Sequence, residues 1–212
     1  VTDKLARSLS ILFHPLLMPT LLFGILFFQV PGVLGLDAFP AGFRGSLLVL
    51  ISVGTFGIPS ILIYYLFRSG YIPSLYLDNR LDRRLPYFLT GIIYLVLTFL
   101  FATRMQLVSE TSPEISVILG SITVSILLVG IISLFWKISA HSVGIGGVLG
   151  SLLSITVKFG ETDLIFFLAL LTGFAGLVMS ARLHLNAHTF AQVNVGFLMG
   201  LIVSVLAVSL LI

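Results

Sequence analysis

The chain has 212 residues, 58% of them hydrophobic and only 9% charged, with a net charge of +3. A water-soluble domain carries about a quarter charged residues, so this composition excludes a soluble domain of any size and makes lipid the main solvent. The 11 Lys and Arg fall in short gaps between apolar runs, which excludes a nucleic-acid-binding surface, and the lack of Cys excludes a disulfide frame, a thiolate nucleophile and a Cys-based metal site.

A helix needs about 20 apolar residues to cross the hydrocarbon core. Seven runs approach that length, at about 10–30, 46–67, 87–103, 115–136, 143–157, 164–181 and 190–212. The third and fifth are short, as spans that tilt little, borrow flanking residues or begin in a polar cavity would be. Barrel strands would alternate in hydrophobicity and these runs do not, so helices are predicted. The fold expected is all-α: one polytopic membrane helix bundle over residues 1–212, with six to seven transmembrane helices. No cleavable signal peptide is expected, because the first run is long enough to span and holds His14, Pro15 and Pro19 where a signal core would be plainly apolar.

Seven spans put the N-terminus and the loops near 78–86, 137–142 and 182–189 on one membrane face. That face carries eight cations (Lys4, Arg7, Arg68, Arg80, Arg83, Arg84, Lys137 and Arg182) against three (Arg44, Arg104 and Lys158) on the other. The positive-inside rule directs the richer face to the cytoplasm. If Arg80, Arg83, Arg84, Lys137 and Arg182 belong to a site, three remain on each face, and charge no longer fixes the orientation.

Those three loops hold most of the chemistry. The first reads Asp78-Asn79-Arg80-Leu81-Asp82-Arg83-Arg84-Leu85-Pro86. The second reads Lys137-Ile138-Ser139-Ala140-His141, and the third runs from Ser180-Ala181-Arg182 to His188, with Gln192 one helical turn later. Each precedes a span, and a helix N-terminus favours an anion. Arg and Lys add charge and, for Arg, forked donors suited to phosphate oxygens. Taken singly, each cation is explained as a snorkelling interfacial anchor, and His14 and His184 read as hydrogen-bonded interfacial residues. Gly144, Gly146, Gly147, Gly150, Gly196 and Gly200 read as close helix packing. The grouping of three polar loops on one face, two with His and a cation, is what anchoring does not explain. No metal site is expected: His184 and His188 lack nearby carboxylates, and Arg182 would repel a cation.

At these residues the sequence resembles the PAP2 superfamily, the type 2 phosphatidic acid phosphatases related to vanadium haloperoxidases. The family pattern is KxxxxxxRP, then PSGH, then SRxxxxxHxxxD. Arg182, five residues, His188, three residues and Gln192 reproduce the third spacing. Ser139 and His141 match the second, with Ala140 in place of Gly and Ile138 in place of Pro. Arg84-Leu85-Pro86 loosely echoes the first, with Arg80 in the role of the family Lys. The resemblance covers about 78–200 and leaves the additional helices of about 10–67 outside. It implies a helical core and a cofactor-free, two-step phosphoryl transfer. His188 would be the nucleophile and His141 the proton donor, with Arg182, Ser139, Arg80, Arg83, Arg84 and Lys137 holding phosphoryl oxygens. The partners implied are membrane lipid and a phosphorylated lipid or polyprenyl (pyro)phosphate substrate, and the setting implied is a bacterial inner membrane. Neither the face of the site nor the oligomeric state follows.

Gln192 stands where the family has Asp. It can accept a hydrogen bond from His188 but brings no charge. Two readings follow: a divergent phosphatase, or a catalytically degenerate protein that binds a phosphorylated lipid. A transporter is the third reading. Gly57 and Pro59, or Pro15 and Pro19, would allow broken helices, but no Asp or Glu falls within the predicted spans to relay protons.

Overall fold

The computed structural model describes residues 2–75, 77 and 79–212. Asp78, with which the first polar loop begins, lies outside the described residues. Every regular element among the described residues is helical. Seven helices are long and apolar enough to cross a membrane: Asp3–Gln29, Ala41–Arg68, Leu81–Arg104, Pro113–Ile132, Ala140–Phe159, Leu164–His184 and Phe190–Leu211. The protein is an integral membrane helix bundle. The two short runs are completed by their flanks: the third span begins at Leu81 and the fifth at Ala140, which draws polar-loop residues into helix ends.

The first span is broken. Pro15 has no N–H and disfavours helical backbone at the residue before it; His14 accordingly turns to φ −62°, ψ 136°. The helix Asp3–Leu12 ends there, a short 3₁₀ turn spans Pro15–Leu17, and helix resumes over Met18–Gln29. The His14 N–H goes to the Ile11 carbonyl, so the Ser10 carbonyl loses its usual helical partner.

The second span stays continuous at its own proline. Pro59 cannot donate to the Thr55 carbonyl four residues earlier. That carbonyl instead accepts from the Tyr94 hydroxyl of the third span at 2.7 Å, and the chain widens into one π-type turn at Val53–Gly57. In hydrocarbon a lost backbone hydrogen bond must be replaced by protein, and here a neighbouring span replaces it.

The fifth span lies at the centre: 61% of its apolar window is buried, against 28% for the second, sixth and seventh. Its partner is the seventh. A Cβ on Gly200 would land on the Val143 carbonyl oxygen and 2.9 Å from the Gly147 nitrogen, and one on Gly196 would lie 2.8 Å from the Ser139 carbonyl oxygen. A Cβ on Gly150 would lie 2.5 Å from the Leu201 carbonyl oxygen. Small residues thus allow backbone-to-backbone contact, the means of helix association where lipid removes the hydrophobic driving force. Gly144 makes room for a side chain of the first span: a Cβ there would meet Met18 Cγ at 2.9 Å.

Gly200→Ala must push two backbones apart, which should cost about 1–3 kcal/mol by overpacking. Gly176→Ala, at a lipid-facing position with nothing within 4 Å of the added carbon, should be neutral. Thermal unfolding in detergent compares the two; equal midpoints would contradict the packing described.

Candidate functional site

The close contact of the fifth and seventh spans sets two polar helix starts side by side. Ser139 caps the fifth span: its fully buried side chain accepts from the Ser142 N–H at 3.4 Å and the Ser142 hydroxyl at 3.0 Å. Its own N–H donates to the Gln192 carbonyl of the seventh span at 3.3 Å. Thr189 caps the seventh span. Its hydroxyl accepts from the Gln192 N–H at 3.4 Å, and the Gln192 side chain answers by accepting from the Thr189 N–H at 3.2 Å. This reciprocal box settles which end of the amide is oxygen, because a backbone N–H requires an acceptor.

The same Gln192 Oε1 lies 3.1 Å from His188 Nδ1. An amide oxygen only accepts, so Nδ1 carries the proton and Nε2 keeps a lone pair. Gln192 therefore fixes the His188 tautomer without adding a negative charge. His188 is buried, and burial is the chief cause that lowers its pKa to about 3, with further lowering by the Arg83, Arg182 and Lys137 charges; the Gln192 hydrogen bond opposes them. A lowered histidine pKa means that the ring is neutral throughout the physiological range.

Arg83 is almost completely buried, at 5% exposure. Its guanidinium donates to the Leu77 carbonyl at 2.7 Å and the Ile138 carbonyl at 3.2 Å, and lies within hydrogen-bonding reach of the Tyr87 hydroxyl. Arg182 donates to the Ser10 hydroxyl at 3.1 Å. His141 Nε2 lies 3.0 Å from the Ser10 carbonyl oxygen, the one released by the break in the first span. Electrostatic coupling joins the group, for Arg182, His14 and His188 all act on His141. One membrane face thus gathers Arg83, Lys137, Ser139, His141, Arg182, His188 and Gln192.

Arg80 and Arg84 do not join them. Both are exposed. They donate to the carbonyls of Phe135, at 2.7 Å, and Leu134, at 3.5 Å, just beyond the fourth span. A cation at a helix C-terminus is placed favourably against the dipole, so these two do the anchoring work. Arg182 also differs from the helix-start expectation, since it lies in the last turn of the sixth span.

Three contributors escaped the sequence reading. Ser10 and His14 come from the first span; His14, expected as an interfacial residue, stands with its ring edge-on to His141, centroids 5.8 Å apart. The available signal was the polar, proline-bearing interruption of an apolar run. Tyr87 is the third, one helical turn after Arg83. His184 does stay at the interface, paired with Asp3 at 2.8 Å. Among the described residues no group of three His, Asp or Glu could hold a metal ion. The chain matches no protein family, no curated protein and no solved structure; what stands is a seven-span helical membrane protein with a cationic, histidine-bearing cluster at one face.

The pKa direction gives a sign. His188 should show no titration between pH 5 and 8 in the folded protein, because its transition lies below that window. Nitrogen-15 NMR of the labelled imidazoles reads this directly. A His188 midpoint near the ordinary 6.5 would contradict the burial and charge environment described.

Proposed function

We propose that the protein is a membrane-embedded lipid phosphate phosphatase of the PAP2 type, acting in a bacterial inner membrane. The observation that carries this reading is the tautomer of His188, whose Nε2 keeps a lone pair while the charges of Arg83, Arg182 and Lys137 act on the ring. A neutral imidazole among cations is suited to attack an anionic phosphorus centre. The cations bind the phosphoryl oxygens and offset the charge that builds in the transition state, which is the main demand of phosphoryl transfer.

The steps balance with protein groups and water alone. His188 Nε2 attacks phosphorus, the bond from phosphorus to the leaving oxygen breaks, and that oxygen takes a proton from protonated His141. Water then attacks the phosphohistidine, gives a proton to His141, and the phosphorus–nitrogen bond breaks to release inorganic phosphate. The substrate class is a phospholipid monoester or a polyprenyl (pyro)phosphate, whose chain remains in the lipid while its head meets the cations.

The second reading, a binder of phosphorylated lipid, draws on the neutral Gln192. In a serine-protease triad, replacing the orienting Asp by Asn costs about 10⁴ in rate through the wrong tautomer. Here the tautomer is held by Oε1, so by analogy the penalty reduces to the missing charge.

Phosphate release from a panel of lipid phosphates, in detergent with EDTA, separates the readings. The expected outcome is slow metal-independent turnover, abolished by His188→Ala and raised by Gln192→Asp. Turnover that survives His188→Ala would remove the phosphohistidine route. Vanadate binding with no turnover in either the wild type or Gln192→Asp would favour the binder.

A further inference from the structure

The first span lies outside the stretch of resemblance, yet one of its residues touches two members of the cluster. Ser10 offers its hydroxyl to Arg182 at 3.1 Å and its carbonyl to His141 Nε2 at 3.0 Å. The hydroxyl is itself fixed, since it donates to the Ala6 carbonyl at 2.9 Å. The carbonyl is available only because the helix stops. In an unbroken helix the His14 N–H would bind it, whereas here that N–H goes to Ile11.

A carbonyl oxygen only accepts, so His141 Nε2 must carry a proton in this contact. In the neutral ring Nδ1 is then the basic atom, and protonation occurs there. A proton on Nδ1 is the one His141 can give, and the Ser10 carbonyl accepts from Nε2 in both charge states.

We propose that the break in the first span is the orienting device of the site: the Ser10 carbonyl holds His141 with its exchangeable proton on Nδ1, and the Ser10 hydroxyl sets the Arg182 guanidinium. Ser10 and Pro15 are positioning residues. Ser10 acts through its neighbours, and Pro15 acts by withholding the backbone N–H that would let the helix continue. The catalytic consequence rests on the phosphatase reading; the tautomer does not.

The test has two arms on the full chain in detergent or nanodiscs. Four histidines are present, so nitrogen-15 labelled imidazole spectra can be assigned with His141→Asn. In its neutral form wild-type His141 should carry its proton on Nε2 and none on Nδ1. Pro15→Ala restores the N–H, lets the His14 N–H compete for the Ser10 carbonyl, and should give a mixture of tautomers; Pro15→Ser supplies the same N–H should the alanine variant fail to fold. A wild-type proton on Nδ1, or spectra unchanged by both variants, overturns the proposal even in a protein without activity.

The kinetic arm uses lipid phosphate turnover and vanadate inhibition. Ser10→Ala should weaken vanadate binding and raise KM by about tenfold, the scale of one hydrogen bond to a charged group, and Ser10→Thr should restore both. Pro15→Ala should lower kcat and change its pH profile while vanadate affinity stays put. Equal loss of both parameters in both variants would show a merely structural role and overturn the assignment. Failure of wild-type turnover would overturn the phosphatase reading and leave the spectra to decide this one.

Discussion

The contact on which everything else depends is the backbone approach of the fifth and seventh spans. Gly146, Gly150, Gly196 and Gly200 remove the side chains that would hold the helices apart. The approach lets the Ser139 N–H reach the Gln192 carbonyl, which locks two helix starts at one depth. His188, Gln192, Ser139 and His141 then share a face as a consequence of packing. In lipid such packing cannot rely on expelling water, so van der Waals contact and backbone complementarity must carry it.

Around that pair the bundle meets the backbone demand of the membrane by handing groups between spans. The Thr55 carbonyl, orphaned by Pro59, is served by Tyr94. The Ser10 carbonyl, orphaned by the break before Pro15, is served by His141. The first handover is structural, deep in the bundle. The second falls inside the polar cluster, where the partner is a titratable ring, and a structural necessity there becomes a means of setting a tautomer. Gln192 shows the same economy, closing a helix cap while fixing His188.

Much of this was legible in the chain. Seven spans follow from apolar length alone, and the shared face of the three loops follows from counting crossings. The glycines of the fifth and seventh spans read correctly as packing: Gly146, Gly150, Gly196 and Gly200 meet the facing helix, and Gly144 meets the first span. The four-residue step from His188 to Gln192 predicted that their side chains can meet, and they lie 3.1 Å apart although His188 stands just before the helix that starts at Phe190. Other features were not legible. Arg80, Arg83 and Arg84 are adjacent and chemically alike, so only the helix phase separates the buried Arg83 from two exposed anchors. Ser10 and His14 join the cluster through a tertiary contact with no sequence-local trace beyond a proline-bearing break. That Gln192 is a capping residue as well as a histidine partner needed the geometry of Thr189.

The proposed reaction commits to one covalent species, a phosphate on His188. Brief incubation with a lipid substrate labelled in its phosphate, an alkaline quench that preserves phosphohistidine, and peptide mass spectrometry would test this most directly. The account predicts a labelled peptide carrying its phosphate on His188, with no label on the protein in His188→Ala. Label on another residue, or steady phosphate release with no labelled protein at any time point, would contradict it.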